Sequence, residues 1–289
     1  MDGTIIKGIA GFYYVKSGEI TIECKSRGKF RYSGFSPMVG DKVCISMDGD
    51  KGVIEQIYPR RSVMSRPSVA NVTQAFVVFA VKNPEINEEL LNKVVVNCEA
   101  CNLKIIICLN KVDLDPGCER GHLVEMMRNA GYEVVFLQAK EEIGIDEIKR
   151  LMKNQTSVLC GPSGVGKSTI MNKIAGRELM ETGVISRKLK RGKNTTRHSE
   201  LIELCGGFLV DTPGFSSLNM SFVNKDELQG YFPEFQNVIE NCKFNTCLHY
   251  KEPGCAVKSM VEEGKIDRER YNFYIKMLED IIKNKRNTW

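Results

Sequence analysis

The stretch Gly161-Pro162-Ser163-Gly164-Val165-Gly166-Lys167-Ser168-Thr169 reads G-x-x-x-x-G-K-S, the phosphate-binding loop pattern. Ser157-Val158-Leu159-Cys160 before it is short and apolar enough for a buried strand. After it, residues 167–175 place Ile170, Met171 and Ile174 on one helical face. Glycines let successive backbone N–H groups converge on phosphate oxygens, and a helix N-terminus adds partial positive charge. In that setting Lys167 reaches the β- and γ-phosphates and Ser168 ligates Mg²⁺. The bland reading is a glycine turn that happens to precede a helix. The strand–loop–helix context argues against it, and leaves the choice of nucleotide to the rest of the chain.

The 289 residues suffice for two or three domains, each with its own core. Apolar and charged fractions of 42% and 27% are ordinary for a globular chain, and a net charge of +5 permits an anionic partner without demanding one. No apolar run is long enough for a membrane span, and Met1-Asp2-Gly3-Thr4 lacks the basic-then-apolar signal pattern, so a cytoplasmic protein is expected. Of eleven cysteines, Cys44, Cys108, Cys160 and Cys205 sit in apolar, strand-like runs and are expected as small core residues.

Upstream, residues 3–14, 19–24, 29–32, 42–47 and 52–58 read as short strands separated by Gly, Asp and Ser. Such spacing suggests a small barrel of the oligonucleotide-binding (OB) type over residues 1–62. Arg27, Lys29, Arg31, Arg60, Arg61 and Arg66, with Phe30, Tyr32 and Tyr58, either form a phosphate-tracking, base-stacking face or merely solvate the barrel; both readings stand. Residues 63–222 alternate strand and helix: a continuous apolar run at 75–81, a helical stripe at 87–101, strand 104–109, helix 122–130, strand 133–137 and helix 145–152. That is the punctuation of a mostly parallel α/β sheet. A hairpin at 201–205 and 208–210 follows the loop, and residues 223–289 read as a compact helical module.

Strand 104–109 ends in Asn110-Lys111-Val112-Asp113. The Asp113 carboxylate can accept hydrogen bonds from guanine N1–H and the exocyclic amine, a donor pair that adenine lacks. Lys111 can lay its stem along the base and Asn110 can tie this turn to the phosphate loop. Leu137-Gln138-Ala139-Lys140 ends the next strand like the base-binding S-A-K turn of GTPases, implicating Ala139 and Lys140. Asp211-Thr212-Pro213-Gly214 ends a third strand, where Asp211 would hold the Mg²⁺ water shell and Gly214 N–H would meet the γ-phosphate. Between them, Arg187 to His198 is a polar, basic stretch whose Thr196 could close over Mg²⁺ as a first switch; its plain reading is a solvated loop.

In most GTPases the phosphate loop comes first, whereas here the guanine turn precedes it. Finally, Cys242-x4-Cys247-x-His249-x5-Cys255 offers three thiolates and one imidazole, a closed tetrahedral set for one structural zinc. Neighbouring lysines are expected to help hold the thiolates deprotonated. His122 and His198 are isolated in sequence and carry no metal signal.

Barrel, permuted guanine turn and phosphate loop, Asp211–Gly214 and the Cys3His cluster together resemble the circularly permuted bacterial RsgA GTPases over the whole length. The resemblance implies three parts: an OB-fold RNA-binding domain at 1–62, a circularly permuted GTPase domain at 63–222 and a helical zinc domain at 223–289. It implies a monomeric, Mg²⁺-dependent GTPase that acts late in 30S ribosomal subunit maturation. Such an enzyme binds 16S rRNA on the 30S particle, is stimulated by it and leaves after hydrolysis to GDP. The rival is an RNA-binding chaperone in which GTP only sets affinity. Phe215 stands where Ras-like enzymes put a water-orienting Gln, and Asn194 stands where similar family members carry a His. The water-positioning role is therefore open between Asn194, His198 and a ribosomal group. Lys167, Thr196, Asp211 and Gly214 are the expected catalytic set.

Overall fold

A computed structural model describes residues 1–28, 30, 35–65, 68–118, 121–179, 199–211 and 223–286, with only the backbone of Ser65, Asp211 and residues 284–286. Thr196, Asn194, His198, Gly214 and Phe215 lie outside the described residues, as do Lys29, Arg31, Tyr32 and Arg66.

The N-terminal strands are β1 (Asp2–Ile9), β2 (Phe12–Ser17), β3 (Ile20–Ser26), β4 (Lys42–Asp48) and β5 (Lys51–Ile57). They pair β1–β2–β3–β5–β4, and β4 returns to β1 through Asp2↔Cys44, closing a barrel. The run at 3–14 is thus two strands: Ala10 and Gly11, both at positive φ, make the tight turn between them. An alanine there gives no turn signal. Residue 30 is helical rather than extended, and the Phe30 ring is buried in the barrel core, out of reach of a base. A short hairpin, β6 (Val63–Ser65) and β7 (Ser68–Ala70), follows.

The central sheet runs β10–β9–β8–β11–β13–β12, with β8 (Gln74–Ala80), β9 (Lys104–Asn110), β10 (Glu133–Leu137), β11 (Thr156–Cys160), β12 (Glu200–Leu204) and β13 (Gly207–Asp211). All pairings are parallel except β12–β13. β8 is buried throughout, and alternation sorts its side chains. Ala75, Val77 and Phe79 join Leu91, Val94, Val95 and Cys98 of helix α1 (Glu88–Ala100) on one face. Phe76, Val78 and Ala80 meet α3 (Ile145–Met152) and α4 (Lys167–Ala175) on the other, through Ile148, Met152, Ile170 and Ile174. Each Val, Leu, Ile, Phe or Met among them contributes roughly 1.5–3 kcal/mol of burial. Helix α2 (His122–Asn129) packs against β10. Asn87 caps α1, its side-chain oxygen accepting from Leu90 N–H at 2.8 Å.

Barrel and sheet are continuous. β12 pairs with β1 at Glu200↔Lys7, and Lys7–Glu200 (2.8 Å) and Lys16–Glu203 (3.0 Å) ion pairs lie across the seam.

The C-terminal module contains α5 (Pro233–Gln236), α6 (Ala256–Glu262) and α7 (Arg268–Arg286) around Phe232, Phe235, Tyr274 and Leu278, with Val96 of α1 in the same cluster. Among the described residues no helix is long and apolar enough to cross a membrane.

Candidate nucleotide site and metal centre

The phosphate loop joins β11 to α4, as the sequence pattern requires. Gly161, Gly164 and Gly166 take φ of 137°, 85° and 103°, a region that side chains disfavour. Space demands glycine too: a Cβ on Gly161 would overlap the Val78 carbonyl oxygen, and one on Gly166 would overlap Asn110 Nδ2. Pro162 and the exposed Ser163 form the outer curve, while Val165 is buried and pins the loop to the core. Lys167 Nζ donates to the carbonyls of Gly161 (2.8 Å) and Pro162 (2.6 Å), so its ammonium already lies within the loop. Burial lowers its pKa, favouring an anionic partner. Ser168 and Thr169 occupy the first turn of α4.

Asn110, at the end of β9, is the hub. It is buried; its Nδ2 donates to Val165 O at 2.8 Å, and its Oδ1 accepts from Ala139 N–H at 3.1 Å. One carboxamide thus ties the guanine turn, the phosphate loop and the Ala139 turn together. The Ala139 N–H, expected to face guanine, is engaged by Asn110 here; Lys140 beside it is exposed. Lys111 adopts φ 63° and sends Nζ to Gly164 O (2.9 Å) and to Asn83 O, a contact with the loop after β8 that sequence reasoning missed. Its pKa is lowered by burial and by Lys140. Val112 opens a short 3-10 turn that carries Asp113, whose exposed carboxylate makes no hydrogen bond or ion pair among the described residues. It is free to accept from a base. β13 lies beside β11 with Thr156↔Phe208 and Ser157↔Leu209 in register; continuing that offset sets Asp211 level with Leu159, beside the start of the phosphate loop. The donor set therefore fits a nucleotide-bound Mg²⁺, with Ser168 and Asp211 on adjacent elements.

Cys242, Cys247, His249 and Cys255 converge, their ligand atoms all within 4.8 Å of one another. His249 Nδ1 lies 3.6 Å from Cys242 Sγ and 3.3 Å from Cys255 Sγ. A tetrahedral zinc with bonds of about 2.1–2.3 Å requires ligand separations of about 3.6–3.8 Å, so these residues fit the ion. His249 is fully buried and its φ of 55° turns the ligand loop back on itself. The Tyr271 and Tyr274 hydroxyls of α7 donate to His249 O (2.7 Å) and Leu248 O (2.8 Å), clamping that loop. Burial pushes the Cys247 thiol up to about 12 and raises Cys255 too. A divalent cation would offset that cost and hold them as thiolates.

Other expectations change. Arg60 does not track phosphate: it forms a two-pronged pair with the fully buried Asp41 (2.7 and 2.8 Å) and stacks on Phe35. Arg27 pairs with Glu55, and the Tyr58 hydroxyl donates to Asp2. Cys205 is exposed in the β12–β13 turn, whereas Cys108 and Cys160 are buried as expected. His122 is not isolated: its Nε2 and Nδ1 face Asp267 (3.0 Å) and Glu269 (3.4 Å) at the start of α7. The two carboxylates face opposite ring nitrogens, so the imidazole links α2 to the start of α7.

Comparison with known proteins agrees with this geometry. Residues 57–221 match the RsgA GTPase family and residues 2–54 the RsgA N-terminal domain family. The small ribosomal subunit biogenesis GTPase RsgA of Clostridium kluyveri is 58% identical over 286 residues, covering 99% of this chain and all of that protein. The protein of the same name from Clostridium novyi is 55% identical over 290 residues, covering all of both. Among solved structures, YloQ, described as a circularly permuted GTPase, superposes with a TM-score of 0.84 at 34% identity, covering 98% of this chain and 95% of that one. YjeQ from Thermotoga maritima gives 0.83 at 34% identity, with 97% and 98% covered. The order of guanine turn and phosphate loop, the shared hub at Asn110 and these full-length matches lead to one conclusion: the chain belongs to the RsgA family of circularly permuted GTPases.

Proposed function

We propose that the protein hydrolyses GTP in the biogenesis of the small ribosomal subunit, binding 16S rRNA on the 30S particle and leaving it after hydrolysis. The observation that carries this reading is Asn110, which locks base-reading turn and phosphate loop into one site. Asp113 selects guanine by accepting from N1–H and the exocyclic amine, and Lys111 flanks the base. Backbone N–H groups of Gly161–Thr169 cradle the phosphates, and the Lys167 ammonium exchanges its carbonyl partners for phosphate oxygens. Ser168, Thr196 and Asp211 would hold Mg²⁺, which supplies positive charge against the phosphates. Gly214 N–H serves the γ-phosphate, and the attacking water is placed by Asn194, His198 or a ribosomal group. Cys242, Cys247, His249 and Cys255 hold one structural zinc that organises residues 223–289. Residues 1–62 and 63–222 form the barrel and GTPase domains, and the chain acts as a monomer.

The test is GTP turnover measured with and without 30S subunits. Slow turnover alone and strong stimulation by 30S are expected; equal rates would remove the assembly reading.

A further inference from the structure

Only an unprotonated ring nitrogen can hold a metal ion, so a zinc-ligating histidine needs its proton fixed on the other nitrogen. In His249 the nitrogen facing the sulfurs is Nδ1. Its Nε2 lies 2.7 Å from Gln229 Oε1. A carboxamide oxygen only accepts, so this contact keeps the proton on Nε2 and leaves the Nδ1 lone pair aimed at the cluster. The amide is oriented in turn: Gln229 Nε2 makes a long hydrogen bond to Asp226 O at 3.5 Å, which sets Oε1 toward the ring. His249 is fully buried and its ring is flanked by Phe235, edge-on at 5.7 Å, and by Tyr274 at 6.2 Å, so the half-buried Gln229 covers the side on which Nε2 lies.

We infer that Gln229 is the positioning residue of the metal centre, fixing through the His249 Nε2–H the tautomer and ring orientation that zinc requires. This rests on the zinc reading of the cluster. Gln229 stands on the turn Leu228–Tyr231, outside the ligand loop and on the first described stretch after β13. The metal centre thereby depends on a residue near the start of the module, well before the ligand loop in sequence.

The experiment is zinc competition between the full-length protein and a chromophoric chelator, together with absorption spectra of the cobalt-substituted protein. Gln229→Leu strands a buried N–H and frees the ring to move its proton to Nδ1. A 10- to 100-fold weaker zinc affinity is expected, with a shifted cobalt spectrum. Gln229→Glu keeps an acceptor and should bind zinc within about threefold of the unaltered protein, with an unshifted spectrum. Guanine nucleotide binding reports folding in both variants. Unchanged affinity in Gln229→Leu overturns the role. So does a tenfold loss in Gln229→Glu, which decides the matter alone if the leucine variant does not fold. Absence of zinc from the unaltered protein would instead overturn the metal reading itself.

Discussion

Replacing Arg270 by methionine should loosen the C-terminal module from the GTPase domain while leaving the hydrophobic stem in place. Arg270 is fully buried and its partner Glu234 is only 5% exposed. The guanidinium donates to Glu234 Oε1 at 2.7 Å and Oε2 at 3.2 Å, and to Asn92 Oδ1 of α1 at 2.6 Å. It also lies 4.7 Å from the centre of the Phe232 ring. Removing it strands a buried carboxylate and a buried amide oxygen. Breaking a buried pair from one side costs about 3–5 kcal/mol. At about 1.4 kcal/mol per tenfold, amide protection should fall roughly 140- to 4,000-fold if local opening limits exchange. Hydrogen exchange read by mass spectrometry over α7 and the facing turns of α1 is the assay. The double variant Arg270→Met/Glu234→Leu should recover most of the loss, because no charge is then stranded. Protection within about threefold of the unaltered protein in Arg270→Met, or a double variant as poor as the summed singles, would refute the reasoning.

Asp113→Asn should weaken guanine nucleotides at least about 100-fold and favour xanthosine nucleotides, measured by competition; unchanged preference would contradict the base assignment. Gly161→Ala should lose nucleotide binding and cost more than about 2 kcal/mol, since the new Cβ overlaps the Val78 carbonyl at a φ of 137°; native thermal unfolding and binding would count against it. In alkylation at pH 8, Cys205 should react early, while Cys108, whose thiol pKa burial raises strongly, should stay protected until unfolding. Peptide mapping after graded exposure reads the order.

The sequence was legible where chemistry is local. Strand 133–137 and helices 145–152 and 167–175 declared themselves by period and flanking glycines, and the phosphate loop, guanine turn and Cys3His cluster by spacing. What failed to show was pairing across distance. Nothing near Arg60 pointed to Asp41, nor near Arg270 to Asn92, 178 residues away, nor near His122 to Asp267. A charged side chain reads as solvated until its partner is known, so Arg60 looked available to RNA. Phe30 failed for a related reason: one aromatic among basic residues fits a stacking face and a barrel plug equally well. Gln229 carries no motif at all; only the position of the His249 ring exposes its part.

Between β1 and β12 runs the seam that joins barrel to sheet. At this seam the barrel meets the rim of the GTPase sheet through the Lys7↔Glu200 register pair and two part-exposed ion pairs, while Ile5, Val15 and Ile54 of the barrel share one buried cluster with Val77, Leu201 and Val210 of the sheet. Such ion pairs contribute about 0–1 kcal/mol each and are screened within roughly 8 Å at physiological salt. The ion pairs therefore only trim the joint, and the shared apolar cluster holds it. It shields an otherwise open sheet edge from stray strands, and springing it would open the apolar cluster that barrel and sheet share. A ligand gripping the barrel would pull on the same rim that leads through β13 to Asp211.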